Sequence, residues 1–162
     1  MTNAGLDKET LQMLLSTLEN FAKQHLPLKV RLELDEKDEF PLATIKHLLG
    51  PEVQLQMLFI PVEHGGLGGG AYDVYRVSED MARLDLGVAT AFLAIFLGTD
   101  PIVVGATDAQ RAKWMRRIAE EGLIVAYGVT EPLAGSEVSA IRTRAERIVL
   151  DGKVTGYRLN GE

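Results

Sequence analysis

The residues with the clearest capacity for chemistry lie together in Tyr127-Gly128-Val129-Thr130-Glu131-Pro132-Leu133-Ala134-Gly135-Ser136-Glu137. Gly135 has no side chain and lets a ligand approach the backbone closely. The Thr130 and Ser136 hydroxyls can each donate or accept a hydrogen bond. Backbone N–H groups left unpaired after a strand can bind carbonyl or phosphate oxygens. The edge of a flavin ring and a pyrophosphate both need groups of this kind. The same Pro, Gly and Ser pattern also describes a plain connecting loop.

Other candidates are weaker. Ser136 sits in Ala-Gly-Ser-Glu rather than a Gly-x-Ser-x-Gly elbow, which argues against a serine hydrolase. Glycine fills five of the six positions 65–70. That run lacks a Gly-Lys-Ser/Thr ending, so it reads as a structural turn, with His64 a loop residue beside it. His25, His47 and His64 have no metal-ligand spacing, and no metal site is expected. Lys113, Arg116 and Arg117 read as an exposed helix face near a negative helix end. Trp114 reads as packing, and Glu79, Asp80 and Asp85 as a solvated face and helix end.

These residues must be held by a scaffold that the periodicity outlines. Leu11, Leu14, Leu15, Leu18, Phe21 and Ala22 form one helical stripe from Asp7, a plausible N-cap, to about Gln24; Pro27 ends it. Leu28–Glu39 is a charged connector that can be helical in part. Pro41 opens a short helix through Leu49, stopped by Gly50 and Pro51. Leu55–Val62 is apolar and leads into the glycine turn. Ala71–Leu84 is helical, with Val74, Val77, Met81 and Leu84 on one face. Val88–Leu97 is apolar on every side, the pattern of a helix in the middle of a bundle. Thr107 and Gln110 form a capping box for a helix to about Glu121, with Gly122 as its stop.

After Gly122 the pattern changes. Leu123–Thr130 is short and β-branched, which predicts a strand. Thr143–Leu150 and Val154–Leu159 flank Asp151-Gly152, which predicts a hairpin. The expected fold is mainly α: an up-down helical bundle over residues 1–122, then the first strands of an antiparallel β-barrel-like domain over residues 123–162. Two or three strands with open edges suggest a sheet that continues elsewhere, in further chain or in another subunit.

Composition narrows the function classes. The 162 residues are 46% hydrophobic and 25% charged, a folded rather than disordered profile. The absence of cysteine excludes disulfides and thiolate chemistry. A net charge of -6 argues against a broad nucleic-acid surface. Met1–Lys8 is polar and does not resemble a signal peptide, and the longest apolar run, Val88–Leu97, is about half a membrane span. A cytoplasmic location is the expectation.

The Thr130-Glu131-Pro132 turn followed by Gly135-Ser136 and an acidic residue resembles the flavin-binding signature of acyl-CoA dehydrogenases. Other stretches follow in the same family order. Ile60-Pro61-Val62-Glu63-His64-Gly65-Gly66-Leu67-Gly68 is similar to the family's Pro-acidic-aromatic-Gly-Gly turn. Glu79–Asp85, Gly98-Thr99 and Pro101 resemble its central helices, and Gly105–Trp114 its Gly-x-x-x-Gln-basic helix start. Tyr157–Glu162 resembles the strand before its Lys-x-Trp segment. Two departures stand out: Leu133 where the family commonly has Gly, and Glu137 in place of Asp.

The resemblance implies an enzyme that removes hydrogens from the α and β carbons of an acyl-CoA thioester, with FAD as hydride acceptor. It implies that Tyr127, Val129 and Thr130 lie along the flavin ring. Gly135 and Ser136 approach the pyrophosphate, and Ser136 also touches the pantetheine arm of the substrate. The family's base is a Glu on a C-terminal helical domain that this sequence does not include, so no catalytic residue is assigned. The 162 residues alone are expected to be inactive and to bind FAD weakly or not at all. Electron-transfer flavoprotein is the redox partner by resemblance, and the full-length form is expected to be a homo-oligomer. Two rival functions share the fold: a non-catalytic folding or interaction module, and a flavin monooxygenase of the same superfamily.

Overall fold

The structure, a computed structural model, describes residues 5–162; part of the polar N-terminal stretch, residues 1–4, lies outside them. The chain divides into two compact units between Tyr127 and Gly128.

The first unit is a helical bundle. Its first helix, α1, spans Lys8–His25 and starts where the Asp7 carboxylate accepts from the Thr10 amide at 2.8 Å and the Thr10 hydroxyl at 2.7 Å. The Thr10 amide is the main cause that holds the Asp7 carboxyl below its usual range. Leu14, Leu18, Phe21 and Ala22 are the part of the stripe that is fully buried. The expected connector is a helix, α2, over Leu28–Lys37. It was hard to read because no residue of it is fully buried; Val30 and Leu34 only lean on the core. The third helix, α3, runs Leu42–Leu49.

Residues 55–70 form a long irregular connection in the bundle. Two short 3-10 turns, Leu55–Phe59 and Val62–His64, precede the glycine run. The run then folds back on them. The amides of Leu67, Gly68 and Gly69 donate to the carbonyls of Met57, Ile60 and Leu58 at 2.7, 2.9 and 2.9 Å. Buried Gln56 donates from Nε2 to the carbonyls of Leu49 and Ala119 at 3.1 and 3.2 Å, which ties the connection to two helix ends.

Helix α4 spans Ala71–Leu84, and the buried Asp73 carboxylate in its first turn accepts from the amides of Gly70 and Leu6, both at 2.8 Å. Asp85 then caps α5, Leu86–Leu97, by accepting from the Val88 amide at 2.8 Å. A short α6, Asp100–Gly105, and the boxed α7, Asp108–Glu121, follow. Gly122 stops α7 with φ 60°, a left-handed conformation that glycine adopts at little cost.

The core joins Ile45, Leu48, Leu55, Leu58, Val77, Phe92, Met115 and Ile118 from α3, the connection, α4, α5 and α7. Here α5 departs from expectation. Apolar all round, it buries Val88, Ala89, Phe92, Ile95 and Phe96, while Leu86, Ala94 and Leu97 face solvent. Taken through α6, Leu86–Gly105 is long and apolar enough by composition to cross a membrane. Within the bundle, its aromatic side packs instead on Phe59, whose ring stacks on Phe96 at 4.0 Å.

The second unit holds an antiparallel hairpin of β1, Arg144–Leu150, and β2, Lys153–Asn160. Asp151 (φ 49°) and Gly152 (φ 75°) make the two positive-φ positions that a tight two-residue hairpin turn requires. Arg144 faces Asn160, Arg147 faces Tyr157, and the register shifts between Ile148 and Val149. The strand predicted over Leu123–Thr130 does not form. A strand needs a neighbour to bond with, and no described segment pairs with this one, so it stays irregular.

Candidate functional site

Leu123–Tyr127 closes the helical unit. Gly98, between α5 and α6, gives this segment room: a Cβ there would lie 2.5 Å from Val125 Cγ1 and 3.0 Å from the Ala126 carbonyl oxygen. Tyr127 ends the unit with half its surface exposed.

Val129, Thr130, Gly135 and Ser136 belong to the second unit, and all four are exposed. Between them the chain reverses in one tight turn. The Glu131 amide donates to the Ala134 carbonyl at 2.9 Å, and the Ala134 amide donates back at 3.1 Å. Pro132 supplies the fixed φ that the first corner of such a turn favours. Leu133 stands at the second corner without a positive φ, so the turn has no need of the glycine usual in the resembling family. This answers the main departure noted in the sequence. The bridge sets Thr130 and Gly135 on the two arms of the turn, with Ser136 next along.

What these residues leave unused is as informative as what they bond. Neither the Thr130 nor the Ser136 hydroxyl has a hydrogen-bond partner among the described residues, nor do the amides of Val129, Thr130, Gly135 and Ser136. A Cβ added at Gly128 or Gly135 would meet no atom within 4 Å. Neither glycine has a positive φ. The local fold therefore gives no reason for glycine at either position, and it leaves a row of donors free. Such a row can take carbonyl and phosphate oxygens.

Glu131 was missed in the sequence, where it reads only as the middle of a turn. Its two carboxylate oxygens accept from the amides of Arg142 and Thr143, both at 2.8 Å. One side chain thus pins the turn to the start of β1. The Thr143 hydroxyl, then the Arg142 and Thr143 amides, hold the Glu131 carboxyl below its usual range. No local sequence signal reveals a clamp across eleven and twelve residues.

The remaining candidates behave as structure. Gly66 and Gly69 are packing positions: a Cβ at Gly66 would lie 1.9 Å from the Ile60 carbonyl oxygen, and one at Gly69 2.4 Å from Leu58 Cδ1. Arg116 and Arg117 pair with Glu120 and Glu121 at 2.9 and 3.0 Å along α7. Trp114 lies under Lys113 and Arg117, whose charged groups are 5.0 and 5.4 Å from its ring centre.

Known proteins resemble this chain throughout. Residues 8–122 match the family described as acyl-CoA dehydrogenase, N-terminal domain. A (2S)-methylsuccinyl-CoA dehydrogenase of Cereibacter sphaeroides is 30% identical over 88% of the chain and 25% of its own length. An acryloyl-CoA reductase (NADH) of Anaerotignum propionicum is 29% identical over 93% of the chain and 36% of its own length. The crystal structure of a Bacillus anthracis acyl-CoA dehydrogenase complexed with FAD superposes with a TM-score of 0.72 at 27% identity, covering 99% of this chain and 27% of that one. The chain thus spans about a quarter to a third of the length of these relatives. From the first turn of α1 to the glycine that stops α7, the match is continuous, and the chain belongs to the acyl-CoA dehydrogenase family.

Proposed function

We propose that this chain forms the N-terminal part of a flavin-dependent acyl-CoA dehydrogenase that acts on the α and β carbons of an acyl-CoA thioester. The observation that carries the reading is the Gly128–Ser136 segment, with free hydroxyls, free amides and two glycines that its own packing does not require. The named substrates of the two relatives are both CoA thioesters, which supports the substrate class. The FAD in the Bacillus anthracis relative supports the cofactor.

When bound, FAD supplies the hydride acceptor. The residues of this chain supply binding and orientation. The Thr130 hydroxyl and the Val129 and Thr130 amides would hold the polar edge of the ring, with Tyr127 alongside it. The Ser136 hydroxyl and the Gly135 and Ser136 amides would take the pyrophosphate, and Ser136 also the pantetheine arm of the substrate. Glu131 touches none of these; it fixes the turn that presents them. The α proton is taken by a carboxylate outside these 162 residues, so the chain alone is expected to turn over no acyl-CoA. Electron-transfer flavoprotein as redox partner and a homo-oligomeric full-length form belong to the same proposal.

The test is a fluorescence titration of the purified chain with FAD and, separately, with riboflavin. The expected result is weak saturable quenching by FAD, with a Kd on the order of 0.1–1 mM, and weaker binding of riboflavin, which lacks the pyrophosphate. Thr130→Ala and Ser136→Ala should each weaken FAD binding. Equal binding of both flavins, unaffected by Ser136→Ala, contradicts the proposal.

A further inference from the structure

The sequence spacing of the three histidines showed no metal pattern, yet the fold brings two of them together. His25 lies in the last turn of α1 and His47 in the last turn of α3. Their ring centres are 4.5 Å apart, with planes at 57°. Buried Phe21 backs both rings, at 4.9 and 6.3 Å. No ring nitrogen of either histidine has a hydrogen-bond partner among the described residues, and the His47 side chain is exposed. His25 also lines a cleft of about 160 Å³ whose wall includes Glu52 and Gln24.

The geometry points to a binding site for a divalent late first-row transition metal, held by one nitrogen each of His25 and His47. With a metal–nitrogen bond of about 2.0–2.1 Å, the metal sits about 3.2 Å from each ring centre. Two such arms at a right angle separate the ring centres by about 4.5 Å, and at the tetrahedral angle by about 5.2 Å. The 4.5 Å between the ring centres is within the reach of two imidazoles that share one ion. Imidazole ligands and the affinity order of first-row metals favour Cu2+ over Zn2+. No group of three His, Cys, Asp or Glu side chains converges among the described residues, so water fills the remaining positions. The Glu52 carboxylate on the cleft wall adds negative charge on the His25 side. The bound ion would join the C-terminal turns of α1 and α3.

The experiment uses the 162-residue chain without a histidine tag, titrated with Cu2+ and followed by calorimetry and electron paramagnetic resonance. One equivalent should bind, with hyperfine structure from two nitrogens. His25→Gln and His47→Gln should each weaken binding by about tenfold or more, and His64→Gln should leave it unchanged. Circular dichroism checks that the variants are folded, and the two-nitrogen signal of the unmutated chain needs no variant at all. A spectrum with one coupled nitrogen, or undiminished binding by His47→Gln, overturns the assignment.

Discussion

The chain contains two glycine-bearing turns after apolar segments, one at residues 65–70 and one at residues 128–136. In the first, glycine is explained from within. Gly66 and Gly69 press against the backbone and side chains of Ile60 and Leu58, and the amides of the run bond back to residues 57–60. In the second, the space beside Gly128 and Gly135 is empty and the donors around them are free. A glycine that the protein's own atoms require is a packing device. A glycine that nothing in its own unit requires, set among unspent donors, is where a ligand has room to approach.

Substitutions can break or sharpen this contrast. The largest effect belongs to Gly66→Ala, where the new methyl would meet backbone that cannot move aside. We expect a loss of roughly 3 kcal/mol or more, read as a fall of about 10 °C or more in Tm, or failure to fold. Next is Gln56→Leu, which leaves the Leu49 and Ala119 carbonyls without their buried donor. Its expected cost is about 2 kcal/mol in urea unfolding.

Glu131→Ala should act locally. The Arg142 and Thr143 amides should exchange faster by hydrogen exchange, while the helical unit keeps its Tm. The same clamp gives a pH dependence. The Glu131 carboxyl is held below its ordinary value of 4.5, so its stabilising contribution is complete above that pH. It is lost as the pH falls through the lowered folded value and the carboxylate is protonated. Protection of those two amides should therefore hold above pH 4.5 and decline as the pH falls below it. Gly135→Ala is expected to have the smallest effect on stability, within about 0.5 kcal/mol, since the methyl enters open space. Its effect should appear instead as weaker FAD binding.

Much of the helical unit was legible because its signals are local. The Ala71–Leu84 helix, the Thr107–Gln110 capping box and the Gly122 stop are each set by residues within a turn of one another. Asp151-Gly152 likewise announced its hairpin through two positions that need positive φ. What the sequence hid depends on distant partners. Leu123–Thr130 has strand composition and no strand to pair with. Helix α2 lacks a strong stripe because it buries no residue fully. Neither the Glu131 clamp nor the His25–His47 contact has any signature at its own spacing. For the candidate site, residue types alone favour a plain loop over a ligand. The emptiness beside Gly135 and the free hydroxyls support the ligand reading, and neither has a signature in the sequence.

Nuclear magnetic resonance puts the central claim to its most direct test: amide shifts of the 15N-labelled chain mapped during titration with FAD. The account predicts saturable shifts concentrated at Val129, Thr130, Gly135 and Ser136, with residues 65–70 unmoved. Saturable shifts centred on the Gly65–Gly70 turn, or elsewhere with residues 129–136 unmoved, would contradict it.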